Sequence, residues 1–219
     1  MDRVTEKEIK RNKIKGLYYL PWIGKDYINS NAKLLVLGES NYIDEEGYGE
    51  EEDWNQILMK QNFTEILEGV TLYRPLVNLT KAIYNKKDLS RNEMSDIGNK
   101  IAFSNIVQRP LKNRKERPIN IDFYNGWKAI LKVIKIIKPK NIIVIGVVSI
   151  EILKDLAHEE NMGIFDFKKC KEKINNVFPR NFCITNNDEN INCIAIRHTS
   201  SFFSWNKWHK FIKENVSLS

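Results

Sequence analysis

An α/β fold, a three-layer sandwich around a central, mainly parallel four-stranded sheet, is what this 219-residue sequence predicts. Three observations carry that expectation. Four short apolar runs, LLVLG (34–38), IAFSNIV (101–107), NIIVIGV (141–147) and NCIAI (192–196), are near-continuous rather than alternating, as strands covered on both faces are. Segments of helical spacing lie between them, and strand–helix alternation favours parallel pairing. No repeat and no Gly/Ser- or Pro-rich linker divides the chain. One domain is therefore expected over residues 1–219, with an N-terminal helical or extended segment (1–30) and a core (31–214).

After the first strand, RPLVNLTKAIYN (74–85) reads as a helix, with Pro75 acceptable in its first turn. The clearest helix is DFYNGWKAILKVIKIIKP (122–139), where Phe123, Trp127, Ile130, Leu131, Ile134 and Ile137 make one apolar stripe. Lysines crowd its last turns, where they suit the negative helix end, and Pro139 closes it. Ser149 is the expected N-cap of a helix carrying Ile152, Leu153 and Leu156, and residues 205–212 form a C-terminal helix.

Composition bounds the function classes. Thirty-five basic against 28 acidic residues give a net charge of +7, which permits a polyanionic partner. The three cysteines, Cys170, Cys183 and Cys193, are odd in number and lack paired spacing, so they read as reduced thiols of a cytoplasmic protein. They cannot supply the four ligands of a structural zinc or iron–sulfur centre, and no metal or cofactor is expected. The N-terminus MDRVTEKEIKRNK has no apolar signal core. The run IIVIGVV falls far short of the ~20 residues that span a bilayer, so no membrane partner is expected.

In parallel sheets, ligands bind beyond the carboxyl ends of the strands. There the predicted strands deliver residues 39–42, 105–109, 146–149 and 197–201, far apart in sequence but expected at one edge. His198 follows a strand directly, among Arg197, Thr199, Ser200 and Ser201, which suits an anion-receptive loop. Asn105 is a polar amide inside an apolar strand, costly unless satisfied. It has enough donors and acceptors to read an amide-like base edge, or else it bonds a neighbouring loop. QRPLKNRKERP then brings Arg109, Lys112, Arg114, Lys115 and Arg117 against Glu116 alone, a set suited to phosphates. Residues 44–53 hold seven carboxylates in ten positions, which would repel nucleic acid and read as a solvated loop clear of the site.

These motifs, in this order, resemble the uracil-DNA glycosylase superfamily, most closely its thermostable bacterial and archaeal branch, over residues 33–212. LLVLGESNY is similar to a strand ending in the catalytic loop. YRPLVNLTKAIY resembles the Arg-Pro-Phe segment before a helix. IAFSNIVQRPLKNRKERP resembles the strand with the base-reading Asn and its basic loop. WKAILKVIKIIKPKNIIVIGVVSIEIL resembles the following helix–strand–Gly–helix unit, and IRHTSSFF the final His-Pro-Ser motif.

The resemblance implies a four-stranded parallel sheet between helices, in a monomer that flips uracil from single- or double-stranded DNA and hydrolyses its glycosidic bond. It assigns charge stabilisation to His198, base reading to Asn105, and exclusion of thymine's methyl to Tyr42. Phe202 becomes the wedge that fills the vacated stack. Ser200 and Ser201 hold phosphates, with Arg109, Lys112 and Arg114 beside them. Gly38 and Asn41 complete the first loop. The classical carboxylate falls on Ser40, which carries no charge, so Glu39 or Asp44 is expected to supply it. The aromatic that stacks on the base falls on Leu76, with Tyr73 nearby. Thr199 replaces the Pro of His-Pro-Ser, and the branch's four cluster-binding cysteines are absent. Two other readings stay open. One is a catalytically weak module that binds a base, nucleotide or nucleic acid. The other is a serine hydrolase using Ser40 and His198, although Tyr42 stands where G-x-S-x-G needs its second Gly.

Overall fold

The computed structural model describes residues 2–42, 73–113, 115–159, 163–186, 189–200 and 202–217; Asp44, Arg114 and Ser201 lie outside them. Seven strands form one sheet: β1 (Trp22–Ile23), β2 (Leu34–Gly38), β3 (Ile101–Asn105), β4 (Asn141–Ile145), β5 (Gly163–Lys169), β6 (Arg180–Asn186) and β7 (Glu189–Ile196). Their spatial order is β1-β3-β2-β4-β7-β6-β5. The helices described are α1 (Arg3–Arg11), α2 (Arg74–Tyr84), α3 (Arg91–Lys100), α4 (Asn120–Ile137), α5 (Ile150–Glu159) and α6 (Trp205–Asn215).

The four apolar runs of the sequence are the four central strands, β3-β2-β4-β7, all mutually parallel. The expected sheet of four strands is corrected to seven, because antiparallel strands flank this centre on both sides. The flanking strands escape the apolar-run criterion for physical reasons. β1 is two residues long. In β6, Phe182 and Ile184 are buried while Asn181, Cys183 and Thr185 are half-buried, the alternation of a strand covered on one face.

Side-chain alternation along the central strands divides the core into two layers. Leu35, Leu37, Ala102, Ile142, Val144, Cys193 and Ala195 meet α1, α4 and α5 on one face. Leu34, Val36, Ile101, Phe103, Ile143, Ile145, Ile194 and Ile196 meet α2, α3 and α6 on the other. Each fully buried Leu, Ile or Phe contributes roughly 1.5–3 kcal/mol of transfer energy, so both layers are built mainly by burial. Among the described residues no helix is long and apolar enough to cross a membrane.

Helix ends follow local chemistry. Asn85 ends α2 in the left-handed conformation at φ 55°. Ser90 and Glu93 form a capping box that starts α3. Within α4, a Cβ at Gly126 would lie 1.9 Å from the Ile106 carbonyl oxygen, so only a glycine lets this helix dock on the backbone that leaves β3.

Candidate functional site

The carboxyl ends of β2, β3, β4 and β7 open at one edge, and backbone bonds hold the first two loops together there. Gly38 stands opposite Asn105 in register. The ladder continues past both strands: Ile106, Val107 and Leu111 donate N–H to the carbonyls of Gly38, Glu39 and Asn41, each at 2.9 Å. Tyr42 then bridges Leu111. Residues 39–42 are therefore a continuation of sheet pairing rather than a loose loop.

Asn105 is fully buried. Its Nδ2 donates to Asn41 Oδ1 at 2.6 Å, which fixes the amide's orientation, while its Oδ1 has no hydrogen-bond partner among the described residues. That oxygen lies 2.2 Å from where a Cβ on residue 38 would stand, so Gly38 provides the amide's space. Tyr19 lies beside Asn105 but gives its one hydroxyl proton to the Val107 carbonyl, leaving Oδ1 unmet. Ser40 Oγ is likewise buried without a partner. A buried polar atom left unpaired costs about 1–3 kcal/mol, and two of them in the loops of this sheet edge mark positions that a ligand can complete.

Glu39 points its carboxylate toward the β4 end: Oε2 lies 3.7 Å from where a Cβ on Gly146 would be. Gly146 sits at φ +111°, a conformation that side chains disfavour. Burial raises the proton affinity of Glu39, and the positive charge of Arg117 partly opposes this.

His198 is fixed from two sides. Thr199 donates its hydroxyl to the Pro75 carbonyl at 2.9 Å, and its own carbonyl accepts from Asn78 Nδ2 at 2.6 Å. The backbone N–H of Ser200 donates to His198 Nδ1 at 3.3 Å, and Ser200 Oγ lies 2.8 Å from the same nitrogen. A backbone amide can only donate, so Nδ1 is the acceptor and the neutral ring carries its proton on Nε2. Burial lowers the proton affinity of His198, and Arg117 lowers it further. The hydroxyl on His198 is thus that of Ser200; Ser40 makes no such bond, so Ser40 and His198 do not form the nucleophile–base pair of the serine-hydrolase reading.

Arg117 is the residue that sequence reasoning undervalued. It was one of five basic residues in a loop, yet its charge acts on both Glu39 and His198 and its Nη1 lies 3.5 Å from the Tyr42 hydroxyl. Only the sheet topology reveals this position. Arg109, expected among the phosphate-facing residues, is instead engaged: Nε and Nη2 each donate to Asp122 at 2.7 Å, and Nη1 donates to Glu116 at 2.7 Å. These bonds raise the Arg109 proton affinity and lower that of Asp122. Asp122 also accepts the Ile119 N–H at 3.0 Å, so Arg109 ties the basic loop to the start of α4. Lys112 keeps an exposed side chain.

Tyr73 precedes α2 and meets Phe103 edge-on at 5.9 Å. Burial pushes its hydroxyl up to about 12, with Tyr42 adding to the effect. Leu76, by contrast, is fully buried in the core with Leu79 and Trp208. Phe202 is 86% exposed and holds φ +54°, a strained conformation for an aromatic residue. Among the described residues no cluster of His, Cys, Asp and Glu is arranged to hold a metal ion, and Cys170, Cys183 and Cys193 form no disulfide. A second groove at the opposite sheet edge is bordered by Leu34, Tyr84, Lys100 and His209, and these three polar side chains are already paired. Tyr84 and Lys100 both bind Asp96, and His209 Nδ1 binds the Ala82 carbonyl. Compared with protein-family models and with curated proteins, the chain matches none.

Proposed function

We propose that this protein is a uracil-DNA glycosylase-like enzyme that hydrolyses the N-glycosidic bond of uracil, or another damaged base, flipped out of DNA. The observation that carries the reading is the neutral His198, its Nδ1 occupied by Ser200 and its Nε2–H left to donate. It belongs to the same edge as the unpartnered Asn105 Oδ1. Asn105 offers an unpartnered acceptor, Oδ1, the complement of the N–H of an imide edge. Asn41 holds that amide from flipping. An aminopyrimidine ring nitrogen carries no N–H and leaves that acceptor mismatched.

Each remaining group has a role in bond cleavage. As the bond to the base lengthens, negative charge gathers on a base carbonyl, and His198 Nε2–H stabilises it without transferring a full charge. The sugar becomes oxocarbenium-like, and the Glu39 carboxylate stabilises that charge and orients the attacking water. Ser40, uncharged, has no part in the step. Phe202 fills the gap left in the stack.

The test is incubation with uracil-containing single- and double-stranded oligonucleotides, followed by alkaline cleavage and gel analysis. Strand scission is expected, reduced about 10²–10³-fold in His198→Asn. Binding without scission of any deaminated base would overturn the enzyme reading. One observation favours that second reading, a base-binding module: burial raises the proton affinity of Glu39, which weakens it as a catalytic anion. A module predicts that Glu39→Gln leaves ligand affinity unchanged and that wild-type protein cuts nothing.

A further inference from the structure

The antiparallel strands that the sequence reading missed carry a feature that the proposed chemistry does not use. From Phe167 to Arg180 the chain has five basic residues, Lys168, Lys169, Lys171, Lys173 and Arg180, against one acid, Glu172. Lys169, Lys171 and Lys173 are exposed and have no carboxylate partner among the described residues. Lys169 and Lys173 both lie over the ring of Phe178, at 4.4 and 5.0 Å from its centroid, so one aromatic ring holds two like charges. Cation–π attraction to that one ring offsets part of the like-charge repulsion and anchors both ammonium groups in the same strip.

This strip is continuous with the candidate site. The turn that follows it, Ile174 to Val177, is closed by mutual backbone bonds. Asn175 in that turn accepts Arg197 Nη1 on its carbonyl at 2.8 Å and the Ser204 N–H on Oδ1 at 2.8 Å. The loop so gripped is the one that carries His198, Ser200 and Phe202. Lys173 is two residues from Asn175 and Lys169 six, a span of at most roughly 20 Å of extended chain. A nucleic-acid strand presents a phosphate about every 3.4 Å of duplex axis, so several phosphates fall within reach of the strip.

We infer that Lys169, Lys171 and Lys173 form a phosphate track that extends the DNA footprint from the Phe202 loop along the β5 edge of the sheet. The inference rests on DNA being the partner of the site, but its test does not require cleavage. Binding of a fluorescein-labelled single-stranded oligonucleotide to the full-length protein is measured by anisotropy between about 50 and 200 mM salt. Replacing the three lysines by Gln (K169Q, K171Q and K173Q together) is expected to flatten the slope of log K against log salt by about 2, three phosphates at ~0.7 each. The reverse variant Glu172→Lys is expected to steepen the slope, a gain that a damaged fold cannot imitate. An unchanged slope in both variants overturns the track, as does loss of binding to phosphatidylserine vesicles with the DNA slope intact. If uracil excision fails while the slopes shift as stated, the catalytic reading falls and the track stands.

Discussion

Glu39 and His198 share a charged neighbour and titrate in opposite senses from their ordinary values. His198 is held below the ordinary histidine value of about 6.5 by burial and by Arg117. It therefore adds stability that is complete above that value and is lost as pH falls through its folded value. Glu39 is held above the ordinary glutamate value of about 4.3 by burial. Its contribution is complete below that value and is lost as pH rises through the raised one, so at neutral pH its ionised form weakens the fold. Replacing it should expose this conflict: Glu39→Gln is expected to abolish excision while raising stability by about 1 kcal/mol at pH 7, read by thermal melts beside the oligonucleotide assay. For the wild type, kcat/KM is expected to decline on the acid side, as Glu39 and His198 gain protons. Arg117→Gln removes the charge that keeps both deprotonated, so the acid limb should move to higher pH. A limb in the same place would show that Arg117 does not act on the pair.

At the scale of elements, two contacts place the site and can be tested through stability. Gly126→Ala pushes a methyl against the Ile106 carbonyl, where 1.9 Å leaves no room. A loss of about 3 kcal/mol is expected in denaturant unfolding. The Arg109–Asp122 pair is bidentate, but the guanidinium side chain is 39% exposed, so screening limits its worth. A double-mutant cycle with Arg109→Gln and Asp122→Asn should return a coupling of about 1 kcal/mol. The four central strands were legible because burial on both faces leaves continuous apolar runs, and α4 was legible because its stripe is long. α3 was less so: in RNEMSDIGNK only Met94, Ile97 and Gly98 are buried, too few for a stripe. Its start signal, Ser90 with Glu93, was nonetheless present in the sequence. Tyr19, beside Asn105, was not legible, since nothing near it in sequence marks a buried hydroxyl bonded to Val107. The same limit explains Arg109, whose partners depend on how the loop folds back on α4.

Across the whole molecule, the two apolar layers close over the sheet and leave Cys193 inaccessible, with burial raising its thiol's proton affinity well above the ordinary range. A thiol reagent is therefore expected to label Cys193 only as fast as the fold opens globally, with Cys170, half-buried, reacting earlier. Equal rates would show that the sheet opens locally at β7. The sheet's own connectivity has a further consequence, for the order of assembly. The β5–β6 and β6–β7 pairings join neighbours in sequence, whereas β2 must find Ile101 on one side and Asn141 on the other. Closing long loops costs entropy before any contact repays it. The last third of the chain to be synthesised is thus the first able to pair. It forms a ready-made template against which β4, and then β2 and β3, come to rest. The edge that carries Gly38 and Asn105 is completed last, so slow folding of this protein would first be felt as a delay in gaining its site rather than its sheet.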